Sequence, residues 1–291
     1  MAKIAVISET GDGPRGTHAR VLAAGAGWTA SEVVCTLGPR DRSFEEQHSE
    51  ISIAMVAAGT FVYRGHAGRE LMTPGSLLLG SAGRFFECSH DHGAGDRCIA
   101  FSYTPEYFDR LEVPAAFRGH RLPAVRPLAP LLTRAEAALG GAAGAAWEEI
   151  ALELAVRSTA LDGGGCSAPS GSAAAAQARV AHVVREIENS RDAAFELEAM
   201  ARDARLSPYH FLRMFRQVTG VTPHQHLLRR RLQRAALWLA NEPAKIVEIS
   251  LECGFGDVSN FNRAFRAEFG ASPRAWRRSF KPALPGCQSG A

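Results

Sequence analysis

The chain has 291 residues, 46% hydrophobic and 22% charged, with 28 Gly, 15 Pro and 6 Cys. Those proportions exclude a wholly disordered chain and allow two domains of roughly 100–150 residues each. The best apolar run, Ile51 to Tyr63, is broken by Gly59 and falls short of the ~20 residues a membrane span needs. The first residues, MAKIAVISETGDGPRG, lack the pattern of a secretory signal. A soluble, cytoplasmic protein with no membrane partner is expected. The net charge of +3 conceals a split: Arg179 to Lys281 carry 18 Lys+Arg against 11 Asp+Glu, while the remainder carries 15 against 19. A basic C-terminal third on an acidic remainder suggests that one part faces a polyanion.

From about residue 30 to 103 the sequence reads as short strands with turn punctuation. Val33–Leu37 stops at Gly38-Pro39, Ile51–Val56 meets Ala58-Gly59, and Thr60–Tyr63 ends at Gly65. Leu71-Met72 enters Thr73-Pro74-Gly75 and Ser76–Leu79 follows; Arg84–Cys88 and Arg97–Tyr103 complete the set. This spacing predicts an all-β barrel or sandwich. Within it lies an unusual cluster of soft and borderline ligands, Cys88, His90, His92 and Cys98. If the flanking strands pair as a hairpin, the Gly93–Gly95 turn folds Cys98 back towards Cys88. Thiolates and imidazoles together suit zinc, nickel, cobalt or copper. Oxidation of Cys88 and Cys98 is a second use of the cluster, and a plain polar hairpin a third. His48 and Cys35 are further candidate ligands that no sequence signal places nearby. No cofactor is certain, and the remaining cysteines form no disulfide framework.

From residue 127 to 161 the period becomes helical. Leu128, Leu131, Leu132, Ala135 and Leu139 share one face, then Trp147, Ile150, Ala151 and Leu154 another. This helical hairpin packs on the strands or pairs two copies as a homodimer. Residues 162–176, DGGGCSAPSGSAAAA, read as a linker that gives way to a helix start. The expected domains are 1–126 (sensor), 127–161 (hairpin), 162–176 (linker), 177–281 (basic domain) and 282–291 (disordered tail).

The basic part repeats itself at an offset of 50. Phe211, Arg213, Phe215, Arg216, Gly220 and Pro223 correspond to Phe261, Arg263, Phe265, Arg266, Gly270 and Pro273. Ser207 matches Asp257 and Thr222 matches Ser272, all good helix N-caps. Each copy predicts a short helix, a tight turn and a capped second helix: about 197–204 with 208–219, then 246–253 with 258–269. That is the helix-turn-helix unit, whose second helix enters the major groove of double-stranded DNA. Phe211, Met214, Phe215 and Val218, and their counterparts Phe261, Ala264, Phe265 and Phe269, are the expected buried stripes. The opposite faces offer Tyr209, Leu212, Arg213 and Arg216, and Val258, Ser259, Asn262, Arg263 and Arg266. Arginine can read guanine and asparagine adenine through paired hydrogen bonds. A connecting helix from Pro223 to Ala240, ~27 Å long, spaces the two readers by about one DNA turn.

LEAMARDARLSPYHFLRMFRQVTGVTPHQHLLRRRLQRAALWLA and IVEISLECGFGDVSNFNRAFRAEFGASPRAW resemble the AraC/XylS family of bacterial transcriptional regulators. The resemblance covers about residues 178–281. It implies a seven-helix domain with two helix-turn-helix units that binds promoter DNA and works with RNA polymerase. It places base readers at Tyr209, Leu212 and Arg213, and at Val258, Ser259, Asn262 and Arg263. Leu212 stands where a polar reader is common, which suggests a thymine methyl contact there or reliance on Arg213 alone. The N-terminal part looks like the cupin-type sensor of that family. Thr73-Pro74-Gly75-Ser76 matches the cupin turn, and Gln47-His48-Ser49-Glu50 is a remnant of its metal motif without the second His. The expected fold class is therefore α+β multidomain, with a cupin-like β-barrel, a helical hairpin and an all-α double helix-turn-helix domain. The expected function is a regulator, not an enzyme, that senses a small effector, a metal ion or an oxidant. Two alternatives stand beside it: a DNA-repair methyl acceptor using Cys88 or Cys98, and a cupin metalloenzyme.

Overall fold

The computed structural model describes residues 16–280 apart from 42, 44, 91–92, 94, 141–146, 163–172 and 190–195. Ten strands open the chain: β1 Thr17–Gly25, β2 Trp28–Cys35, β3 Glu45–Gln47, β4 Ile51–Gly59, β5 Phe61–Gly65, β6 Gly68–Met72, β7 Leu77–Gly80, β8 Phe85–Ser89, β9 Asp96–Tyr103 and β10 Arg121–Leu122. They form two antiparallel sheets, a large one in the order β1-β2-β9-β4-β7-β10 and a small one in the order β3-β8-β5-β6. The sheet-rich fold matches the expectation. Of the barrel and the sandwich that the strand spacing allows, the described strands form two facing sheets and no closed barrel.

Strand alternation explains the layering. Ala54, Val56, Leu78 and Cys98 of the large sheet meet Phe61, Tyr63, Met72 and Phe86 of the small one, forming the inter-sheet core. The other face of the large sheet, with Ile51, Ile53, Met55, Ile99, Phe101 and Tyr103, is covered by helices α1 Pro105–Arg110, α2 Ala129–Leu139 and α3 Trp147–Leu161. Both faces of β4 are thus buried, so it reads as a continuous apolar run. The hydroxyl of Tyr103 donates to the carbonyl of Ala151 at 2.9 Å, satisfying a buried polar group at the helix–sheet contact.

The second half is helical: α4 Ala173–Asn189, α5 Leu197–Asp203, α6 Pro208–Thr219, α7 Pro223–Asn241, α8 Ile246–Glu252, α9 Val258–Phe269 and α10 Pro273–Ser279. Ala173–Ala176, read as the end of the linker, already belong to α4. The tail and the rest of the expected linker, apart from Asp162, lie outside the described residues. Val62 and Leu71, on the outer face of the small sheet, share a core with Val180, Val184, Phe211, Phe215 and Leu227. The first helix-turn-helix unit therefore packs on the sheet region. The second unit builds its own core from Leu232, Leu239, Ile249, Phe255, Phe261, Phe265, Phe269 and Trp276.

Candidate nucleic-acid interface and the cysteine–histidine cluster

Helices α6 and α9 are both defined by local chemistry. Ser207 accepts from the backbone N–H of His210 at 3.4 Å, and Asp257 accepts from those of Ser259 and Asn260 at 2.7 and 3.1 Å. Each helix stops at a left-handed glycine, Gly220 (φ 81°) and Gly270 (φ 71°), where a side chain would be strained. Helices α7 and α10 then restart on the side-chain caps Thr222 and Ser272, each followed by proline. Phe211, Phe215, Phe261 and Phe265 are wholly buried, with Met214, Val218 and Ala264 partly so.

The expected readers lie on the opposite faces. Tyr209 is 71% exposed, Arg213 and Arg216 are exposed, and Leu212 is half-buried. On α9, Ser259, Asn262, Arg263 and Arg266 are exposed and Val258 is half-buried. Ile246, Asn262, Arg263, Arg266 and Arg274 border a groove of about 740 Å³ along the second unit. Helix α7, 19 residues, is ~28 Å long at ~1.5 Å per residue.

Both units touch the N-terminal region through charged groups. Buried Arg121 of β10 pairs with Glu70 of β6 at 3.2 Å and donates to the carbonyl of Thr219 at 2.9 Å, on the last residue of α6. Arg229 of α7 donates to the carbonyl of Ala124 and pairs with Glu268 of α9 at 3.3 Å, and Arg126 pairs with the same carboxylate at 3.4 Å. Beside them Arg230 chelates Glu188 at 2.6 and 2.5 Å and donates to Gln233 at 2.6 Å. Burial pushes Glu136 of α2 up to about 7, against the pull of the Arg230 charge, and pushes His226 of α7 down to about 4.

The cysteine–histidine cluster differs from the sequence expectation. β8 and β9 do not pair as a hairpin, since β8 lies between β3 and β5 while β9 lies between β2 and β4. The two strands belong to different sheets, and His92 lies outside the described residues. Cys88 and Cys98 nevertheless both face the inter-sheet space. What meets His90 is a different set: donor atoms of Cys35, His90 and Asp96 all lie within 4.8 Å of one another. Cys35 and Asp96 are direct cross-strand partners, a juxtaposition that no local sequence signal encodes. Nε2 of His90 is 2.5 Å from Oδ2 of Asp96. Burial lowers the His90 pKa, but hydrogen bonds and charge from Asp96 and Cys35 outweigh it and raise the value to about 9.

Burial and the Asp96 charge push the thiols of Cys88 and Cys98 well above their usual range, the reverse of an activated methyl acceptor. The cupin centre does not assemble on His48. Its Nε2 is 2.9 Å from the Tyr63 hydroxyl and its ring stacks on Phe86 at 4.2 Å, while neighbouring Gln47 bonds the carbonyl of Gly83. Among the described residues no helix is long and apolar enough to cross a membrane.

Comparison with known proteins places the likeness in the helical part. The helix-turn-helix domain family matches residues 200–279. The transcriptional activator RhaS of Escherichia fergusonii is 37% identical over 101 residues, 35% of this chain and 36% of RhaS. The transcriptional activator RhaR of Salmonella dublin is 34% identical over 95 residues, 33% of this chain and 34% of RhaR. The chain thus matches about a third of the length of these curated relatives. A solved transcriptional regulator of the AraC-type DNA-binding class from Chromobacterium violaceum is 29% identical, over 39% of this chain and 99% of its own, with a TM-score of 0.35.

Proposed function

We propose, from the premise that the C-terminal third of this chain is a DNA-binding domain of the AraC/XylS family, that the whole protein is an effector-responsive transcriptional regulator. The observation that carries the reading is the pair of side-chain-capped helices, α6 and α9, each with an aromatic stripe buried and an arginine-bearing face exposed. Arg213 and Arg263 read guanine edges, and Asn262 reads adenine. Tyr209, Leu212 and Val258 supply apolar contacts, Leu212 to a thymine methyl. Ser259, Arg216 and Arg266 hold phosphates and so fix register rather than sequence. Helix α7 sets the two readers on successive turns of one face of promoter DNA.

The strand region acts as the sensor, with a cupin-like ancestry in its Thr73–Ser76 turn. Its effector is a metal ion or an oxidant at the cysteine–histidine cluster, or a small molecule. The Arg121–Thr219 contact and the shared core of Val62, Leu71, Phe211 and Phe215 support coupling, because the sheets and the first reader cannot move independently while these persist. Leu152, Val156 and Leu161 on the outer face of α3 are 36–41% exposed and suit a homodimer contact. RNA polymerase is the remaining partner, and the cytoplasm the site of action.

Footprinting and binding titration on the cognate promoter test the reading. Arg213→Ala and Arg263→Ala are each expected to cost about 1–3 kcal/mol and to relax specificity at one base pair. Arg266→Ala should weaken all sequences alike and lower the salt dependence. Full protection by both reader variants would overturn the assignment of reading helices.

A further inference from the structure

We propose that Cys35, His90, Asp96 and Cys98 form a tetrahedral binding site for a divalent metal ion of the zinc or cobalt class. The site lies between the two sheets, with three donors from the large sheet and His90 from the end of the small one. This ligand set replaces the one suggested by sequence proximity, Cys88, His90, His92 and Cys98.

Register brings the donors together. Cys35 closes β2 opposite Asp96, which opens β9, so both side chains leave the same face of the sheet. Cys98, two residues further along β9, points the same way, and its Sγ is 3.6 Å from Oδ1 of Asp96. His90 follows the last residue of β8, on the facing sheet. Backbones crowd here to make this possible. Gly95 has a φ of 69°, and a Cβ at that position would strike the carbonyl oxygen of Cys35. Only glycine allows the turn into β9 to press so closely on the end of β2.

The chemistry of the donors selects the ion. Two sulfurs, one imidazole nitrogen and one carboxylate oxygen are the mixed set that zinc takes in closed tetrahedral sites. Calcium and magnesium require oxygen-dominated shells, and the two thiols exclude them. At metal–ligand distances of about 2.0–2.3 Å, neighbouring donors sit roughly 3.3–3.8 Å apart. Cys35, His90 and Asp96 fall within 4.8 Å of one another; Cys98 stands outside that trio beside Asp96 and would turn its Sγ in as the fourth donor, and the ion would replace the 2.5 Å His90–Asp96 hydrogen bond. The side chains of His90 and Asp96 are 2% and 6% exposed. A pair so enclosed gains little over apolar packing, whereas a pre-formed ligand pair is what a metal site requires. Thr17 already donates to Sγ of Cys35 at 3.7 Å, an outer hydrogen bond that would favour its thiolate.

Binding would also join the two sheets. β8 pairs with β5, where Val62 opposite Ser89 belongs to the core shared with Phe211 and Phe215. An ion drawing His90 towards Cys35 therefore acts on the strand pair that carries the first reader. This regulatory consequence rests on the sensor reading above; the site itself does not.

The test uses the full chain, purified under reducing conditions and stripped of metal with a chelator, then titrated with Co²⁺. The expected result is one Co²⁺ per chain, with thiolate charge-transfer absorption and the intense visible bands of a tetrahedral ion, displaced by Zn²⁺. Cys35→Ser, His90→Ala, Asp96→Asn and Cys98→Ser should each weaken uptake by more than ~10-fold. Cys88→Ser should bind as the wild type does. Circular dichroism and cooperative unfolding of each metal-free variant show that loss of binding is not loss of fold. Failure of the wild type to bind Co²⁺ overturns the proposal, as does wild-type affinity in the Cys35 and His90 variants. Loss of binding in Cys88→Ser with retention in Cys98→Ser overturns the ligand set. Uptake with no change in promoter affinity overturns metal as the effector and leaves the site standing.

Discussion

The two helix-turn-helix units share a sequence pattern, a capping scheme and an aromatic stripe, yet they stand in different surroundings. The first lies on the outer face of the small sheet, its core continued by Val62 and Leu71 and the end of α6 held by Arg121. The second draws its buried core from its own helices, closed by Phe255, Phe269 and Trp276, with the Trp276 indole donating to the carbonyl of Ala236 at 3.0 Å. It meets the N-terminal region at α2 and the turn before it, where Ala129 packs on its core, Arg126 pairs with Glu268 and Arg229 of α7 donates to the carbonyl of Ala124. The repeated residues specify the local unit. The residues that do not repeat decide which unit is answerable to the sheets. The first unit is tied to the sheets and the second to α2 and the turn before it, so the two meet different parts of the N-terminal region.

The largest expected effect comes from breaking that asymmetry at Arg121. Arg121→Ala leaves Glu70 buried without its partner and should cost about 3–5 kcal/mol in denaturant unfolding. Arg121→Met with Glu70→Leu should recover most of that loss while still removing the hold on Thr219. Altered promoter affinity in the double variant, at near-native stability, would locate the coupling in this contact. Unchanged affinity would place it elsewhere.

Matched truncations of the two cores sharpen the comparison. Phe215→Ala and Phe265→Ala remove equivalent wholly buried rings, and each should cost about 3–5 kcal/mol. If the first unit is part of the sheet body, Phe215→Ala should also raise hydrogen exchange in β5 and β6, and Phe265→Ala should not. The caps give a smaller contrast. Asp257→Ala removes an acceptor serving two N–H groups and Ser207→Ala one, so losses of about 1 kcal/mol are expected, larger for Asp257.

The smallest effect concerns pH at the contact between α2 and α7, where Glu136 faces Arg230, Gln233 and Glu188. Its pKa is raised to about 7, so the stability tied to its neutral form is complete below about pH 4.5 and lost as pH rises through 7. Glu136→Gln should raise the thermal midpoint at pH 8 and change little at pH 4. His226, lowered to about 4, works in the opposite direction. Its contribution is complete above about pH 6.5 and lost as pH falls through 4, so acid should loosen α7 first.

Most of the helical domain was legible in the sequence. Helices α6 and α9 begin and end where Ser207, Asp257, Gly220 and Gly270 indicate, because caps and stops act over three or four residues. Most strands were legible for the same reason, through alternation and turn residues. β1, β3 and β10 were not, since a partly exposed strand and two very short ones carry little apolar signal. The choice between barrel and sandwich lay beyond the sequence, because it rests on pairing, which depends on which distant strands meet.

The sequence by itself determined the repeat, the caps, the exposed arginine-bearing faces and the basic character of the last third, all consequences of interactions between near neighbours. Tertiary structure alone decided that Cys35 and Asp96 join His90, that β8 and β9 part into different sheets, and that Arg121 reaches a carbonyl 98 residues away. These contacts depend on strand register and on the burial of charge, and neither leaves a periodic trace along the chain.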